Sequence, residues 1–286
     1  MLQFSFIFPT GQVVNPCLAY SRVKDQKQNL EGFMTAAGQI SKGRLIGEFV
    51  LVLFAFFIFS FIALIVVLFI QDGVNTEVLE IFNLPNAKEL LAVPGFLAIP
   101  GGMLLTIGLV WGLQKIRGET LSDLGLKIPE SWRRVVLLGV ALAVFIFVAA
   151  TGLTYFLAQF GMVPDSSDFN VILTDPMIFF YGMTAVAWLA AAFGEEVVFR
   201  GFLMRILYQL FGSNTVAAGF AITLQAAVFG MLHLNQGVAG AIVVFMIAAI
   251  FGLAFYRFGR SLWPLIIAHG LFDNIVFTLM YLGVDA

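Results

Sequence analysis

The stretch "FVLVLFAFFIFSFIALIVVLFI", residues 49–70, runs for 22 residues without a formal charge. More than about 18 such residues form a helix able to cross a bilayer, whose core offers no water to satisfy a backbone that is not hydrogen-bonded internally. The rest of the chain agrees with that restriction. Hydrophobic residues make up 60% of it and charged residues 11%, against about 25% charged in soluble domains. Further apolar runs lie at 91–114, 135–160, 177–199, 215–233, 238–257 and 262–283. The expected fold is all-α, a polytopic membrane helical bundle of seven transmembrane helices, or eight if the apolar start "MLQFSFIFPTGQVVNPCLAY" adds one. That start lacks the basic region and small-residue cleavage site of a signal peptide. Residues 1–43 therefore read as an N-terminal cytoplasmic or interfacial segment, and 44–286 as the transmembrane domain.

Lys and Arg give the expected orientation, because loops rich in them stay on the cytoplasmic side. Arg22, Lys24, Lys27, Lys42 and Arg44 precede the first span; Lys115, Arg117, Lys127, Arg133 and Arg134 separate the second from the third; Arg257 and Arg260 precede the last. The alternate loops hold only Lys88 in 71–90 and none in 161–176. An integral, multi-pass protein of the cell membrane with its N-terminus cytoplasmic is expected. The single cysteine, Cys17, excludes an intrachain disulfide and any multi-thiolate zinc site. No basic patch interleaved with aromatics suggests nucleic acid, so the expected partners are the bilayer itself and a membrane-associated peptide or protein. Pro94 and Pro100 suggest a kinked second span, an ordinary feature of membrane helices.

Against this background "AAFGEEVVFRGFLMRIL", residues 191–207, places Glu195, Glu196 and Arg200 in a stretch otherwise fit for lipid. Its helix is expected to start at "TDPM", with Asp175 as N-cap and Pro176 at the first helical position. Regular α-helical spacing puts Glu196 and Arg200 on one face, close enough to pair, and rotates Glu195 by about 100° toward another neighbour. The bland reading has all three at the cytoplasmic edge, snorkelling to water. Yet carboxylates at a helix centre cost about 2.5–3.5 kcal/mol on insertion scales, and ionisable groups inside the membrane are functional by default. The chain's two histidines also fall in late apolar runs, His233 in "FGMLHLNQG" and His269 in "LWPLIIAHGLFDNI", where Asp273 follows at i+4. Either histidine alone reads as a hydrogen-bonded structural residue. Together with the carboxylates they supply the parts that water activation and oxyanion stabilisation require.

The stretches "EEVVFR", "FGMLH" and "HGLFD" resemble, in order and on separate helices, the EExxxR, FxxxH and HxxxN/D motifs of the CPBP family. That family comprises membrane-embedded CAAX prenyl endopeptidases and bacteriocin-processing proteins, and the resemblance covers about 177–283. It implies intramembrane hydrolysis of a peptide bond in a membrane-associated, prenylated or bacteriocin-like substrate. Carried over by position, Glu195 would activate water with His233, His269 and Asp273 would stabilise the oxyanion, and Glu196 and Arg200 would support the site. Family members are read both as glutamate-dependent hydrolases and as metalloproteases, so zinc stays open; if a metal is bound, His233, His269 and Glu195 would hold it. Asp273 stands where Asn is commoner, and an aspartate donates to an oxyanion only when protonated.

Depth gives a mixed expectation. With span ends near Arg200 and Ser261, His269 lies about 12 Å deep and Glu195 about 8 Å deep at the α-helical rise. His233 falls near the far end of its span, so its helix must break, shift or tilt, and "HLNQG" is the candidate break. Two other classes use similar residues. A proton-coupled transporter predicts substrate-dependent flux with no cleaved product, and a non-catalytic immunity or binding protein on the same fold tolerates loss of Glu195.

Overall fold

The computed structural model describes residues 40–72, 87–212 and 214–284. The expectations for residues 1–39, including Cys17 and an eighth span, lie outside the described residues. Within them every regular element is helical. Helix α1 spans Lys42–Asp72, α2 Ala87–Ile116, α3 Trp132–Ala158, α5 Thr215–Met231, α6 Gly237–Arg257 and α7 Trp263–Tyr281. Between α3 and α5, α4 runs without interruption over Pro176–Phe211, 36 residues in all. Short 3₁₀ turns at Leu121–Leu124, Ser167–Leu173 and Leu234–Gln236 join them. Six of the helices are long and apolar enough to cross a membrane, whereas α5, with 17 residues, is shorter. The seven expected spans thus map onto seven helices, six of full crossing length.

Local chemistry sets where these helices begin. Asp175 accepts from the Met177 backbone N–H at 2.6 Å with Pro176 at the first position, as its sequence suggests. Asn214 caps α5 through Ala217 N–H at 2.8 Å. Ser131 caps α3 through Arg134 N–H at 3.3 Å. Such side-chain oxygens satisfy backbone donors that have no partner within the helix. Helix α2 continues through both Pro94 and Pro100.

Two corrections concern α4. The run expected to end at 199 continues to Phe211, so Glu195, Glu196 and Arg200 stand within a continuous helix and not at its end. Its winding is also not regular: Gly182–Leu203 forms a π-helix, with i→i+5 hydrogen bonds, between α-helical ends. π turns put one more residue in each hydrogen-bonded loop and are frequent at functional sites.

Helix packing follows membrane logic, in which small residues admit close backbones and lipid replaces water outside. Helix α1 lies against α2, and at Gly102 a Cβ would come within 2.7 Å of the Ser60 Cα. The hydroxyls nearby satisfy themselves on their own helices, Ser60 to Phe56 O at 2.7 Å and Thr106 to Gly102 O at 2.9 Å. Outward, α1 presents Phe54, Phe57, Phe61 and Phe69. Helix α4 touches both α2 and α7, and α7 also packs on α3, while α5 pairs with α6. Phe96, Ile172, Val186 and Phe277 form a buried apolar cluster joining α2, the second 3₁₀ turn, α4 and α7.

One end of the bundle is tied by charge. Glu48 of α1 pairs with Arg44 at 2.8 Å and with the buried Arg117, just past α2. Glu119 pairs with Arg205 of α4 at 2.7 Å, and Arg205 also donates to Asp123 O at 3.2 Å. Burial pushes the Glu119 carboxyl above the usual range, against the opposing pull of Arg205 and Arg117. Burial acts the same way on Asp123, but the backbone and hydroxyl hydrogen bonds of Thr120 prevail and hold it below its ordinary value.

Candidate active site

Helices α4 and α7 bring together five of the six residues singled out in the sequence. Glu196 and Arg200 are fully buried, and Arg200 Nη1 donates to Glu196 Oε1 at 2.9 Å. The same oxygen faces His269 Nδ1 at 2.9 Å. A carboxylate only accepts, so the Nδ1 position carries the proton and points at Glu196. Nε2 is thereby turned to the other carboxylates, 3.9 Å from Glu195 Oε2 and 3.7 Å from Asp273 Oδ2. Glu195 and Asp273 keep side-chain exposures of 18% and 19%, whereas Glu196 has none, which separates a buried orienting carboxylate from two accessible ones.

Aromatic faces complete the setting of the charged groups. The Arg200 guanidinium lies over Phe229 of α5 at 4.8 Å and over Phe251 of α6 at 5.1 Å. Cation–π contacts of this kind gain strength when desolvated. Phe251 also stacks on His269, with ring centroids 5.3 Å apart. Sequence reasoning missed Phe251, because one phenylalanine among 32 carries no signal before its neighbours are known.

His233 joins from α5 through Phe229. The helix stops at Met231, and His233 caps the 3₁₀ turn Leu234–Gln236, which is the break suggested by "HLNQG". Its Nδ1 is 2.8 Å from Phe229 O and its ring 4.7 Å from that of Phe229, which in turn packs edge-on to Phe199 of α4 at 4.7 Å. The turn is anchored by Asn235 donating to Asp168 at 2.9 Å and by Asp165 N–H donating to Gln236 O at 2.9 Å. His233 makes no direct hydrogen bond to Glu195, Glu196, His269 or Asp273, whereas Glu196 and His269 are hydrogen-bonded and Glu195 and Asp273 lie within 4 Å of His269 Nε2.

The residues do not fit a metal as arranged. Among the described residues no three His, Cys, Asp or Glu side chains converge as a ligand set, the trio His233, His269 and Glu195 included. His269 Nδ1 is committed to Glu196, and only its Nε2 faces the accessible carboxylates.

Fold and site together define a helical integral membrane protein with a carboxylate–imidazole cluster buried in the middle of a crossing helix. Residues 177–275 match the family model of the Rce1-like, type II CAAX prenyl endopeptidases, and the resemblance carried by the three motifs holds over that segment. The family whose model matches this segment is one of CAAX-type endopeptidases. Comparison with curated proteins and with solved structures returns no match.

Proposed function

We propose that the protein hydrolyses a peptide bond of a membrane-associated protein or peptide, with Glu195 as general base. The observation that carries this reading is the single imidazole of His269, held at Nδ1 by a buried Glu196 and offering Nε2 to two accessible carboxylates. Glu195 takes a proton from water as its oxygen attacks the scissile carbonyl, and returns it to the amine as the C–N bond breaks. His269, acting as the doubly protonated imidazolium, donates through Nε2–H, and a protonated Asp273 donates beside it, to the oxyanion of the tetrahedral intermediate. Glu196 fixes the imidazole, and Arg200 neutralises Glu196 in a medium where an unpaired charge is costly. His233 assists Glu195 in activating water from the α5 side. No step is routed through a metal, since the residues do not assemble a ligand set.

The family description points to a prenylated CAAX-type substrate, and the loop charges support a cytoplasmic N-terminus in the cell membrane. The test uses purified protein in proteoliposomes and a quenched-fluorescent prenylated CAAX peptide, with products identified by mass spectrometry. Wild type should cleave one bond, and Glu195→Gln should lower kcat by about 10²–10⁴-fold, the usual contribution of a general base. Normal turnover by a correctly inserted Glu195→Gln protein would sink the assignment.

A further inference from the structure

The contact between α4 and α7 holds a second group of polar and shape-specific features that this chemistry does not use. Asn274, the neighbour of Asp273, turns its amide toward α4. In the orientation that satisfies both partners, Oδ1 accepts from the Trp188 indole N–H at 3.0 Å and Nδ2 donates to Met183 O at 3.1 Å. The indole lies against Gly270, the residue after His269, where a Cβ would come within 2.6–2.8 Å of three ring atoms. No side chain larger than hydrogen fits there unless the tryptophan moves.

Of the hydrogen bonds and ion pairs of the cluster, only those of His269 with Glu196 and Glu195 cross from α7 to α4. One short hydrogen bond fixes a point of contact, and the apolar packing of Val186 and Phe277 that also joins the two helices is non-directional and sets rotation and register only loosely. A second anchor, at Trp188 seven residues before Glu195 and at Gly270 and Asn274 beside His269 and Asp273, removes that freedom. We infer that Trp188 and Asn274, with Gly270 as the seat of the indole, are positioning residues that set the rotation and spacing of α7 on α4 and so aim His269 and Asp273 at Glu195. The inference rests on the hydrolase reading for its catalytic consequence, though not for its geometric one.

Two variants test it, Asn274→Leu, which removes the amide, and Trp188→Phe, which removes the indole N–H and keeps an aromatic ring on Gly270. Misplacement of a catalytic group by about 1 Å costs about 10²-fold, so Asn274→Leu should lower kcat on the prenylated CAAX peptide by about 10–100-fold with KM within about twofold. Trp188→Phe should do the same to a lesser degree. Because the two act through one contact, the double variant should be no slower than the slower single variant. The geometric readout is independent of activity. With only two histidines in the chain, ¹⁵N-histidine labelling in detergent gives two imidazole signal sets, assigned from a His233→Gln spectrum. Both variants should move the His269 ring-nitrogen signals and leave those of His233 in place. Unmoved His269 signals overturn the inference whether or not kcat falls, as do additive losses in the double variant. Moved His269 signals in a protein whose wild type leaves the peptide intact would retain the lock and discard the hydrolase. If Asn274→Leu does not fold, the smaller change Trp188→Phe decides on both readouts.

Discussion

Replacing Arg200 by methionine should destabilise the bundle strongly, and replacing Arg200 and Glu196 together should cost less than the two single losses summed. Both side chains are wholly buried and joined at 2.9 Å. Removing the guanidinium leaves the Glu196 carboxylate resting on His269 alone, since its Oε2 has no hydrogen-bond partner. Breaking a buried pair in this way costs about 3–5 kcal/mol, most of it from the charge left behind. Methionine retains much of the stem volume between Phe229 and Phe251, so the cavity contribution stays small. For a chain of this size each kcal/mol moves the unfolding midpoint by about 2–4 °C, and Arg200→Met should therefore lower it by about 6–20 °C. Glu196→Gln in the same background removes the stranded charge, and the double variant should fall short of the summed single losses by about 2–3 kcal/mol. The measurement is loss of the monodisperse peak on size-exclusion chromatography after heating in detergent. Additive losses would show that the two groups are not coupled and would refute the argument.

The other expectations address the oxyanion, the α1–α2 seam and the charged end. Asp273→Asn supplies a donor without a titrating proton and should keep activity within about tenfold, while Asp273→Ala should lose about 10²–10³-fold, the cost of one oxyanion donor. If Asp273→Asn is as inactive as Asp273→Ala, and chelation abolishes activity that zinc restores, a metal mechanism replaces this one. Gly102→Ala must push a methyl into the Ser60 backbone and should cost about 1–3 kcal/mol of overpacking, whereas Gly108→Ala, with nothing within 4 Å of the new methyl, should leave the unfolding midpoint unchanged. Glu119 binds its proton more tightly folded than unfolded, so its contribution to stability is lost as pH rises from the ordinary glutamate range through the raised value. Glu119→Gln should therefore gain on wild type as pH rises through that window, read from midpoints in detergent across a pH series; a parallel pair of curves would contradict the assignment.

The bundle was legible because lipid imposes a coarse rule: long uncharged runs become helices, and seven runs became seven helices. The start of α4 was equally plain, since Asp175 and Pro176 act on groups within the next turn. Its end was misjudged for a long-range reason. Arg200 reads in sequence as the end of a span, but it is paired with Glu196 and covered by rings from α5 and α6, and Arg205 beyond it pairs with Glu119, 86 positions away. The π winding of α4 has no counterpart in residue periodicity. Asn274 likewise carries no signal in the sequence, because its partners Trp188 and Met183 lie on another helix. The break after Met231 could be read from "HLNQG", where polar residues and glycine interrupt an apolar run.

On the hydrolase reading, helix α5 bears on how water reaches the site. Its 17 residues rise about 26 Å even without tilt, less than the roughly 30 Å of a hydrocarbon core. A helix of that length starting at one surface ends short of the other, where polar backbone survives only if covered by protein or wetted. The loop carrying Asp165 and Asp168 covers one side of the turn Leu234–Gln236 through Gln236 and Asn235. On the hydrolase reading, a segment about one turn short of a full crossing shortens the distance water must travel through hydrocarbon to meet a peptide bond on the side of His233. On that reading a helix of ordinary length at this position would lengthen the path for water by the turn that is missing here.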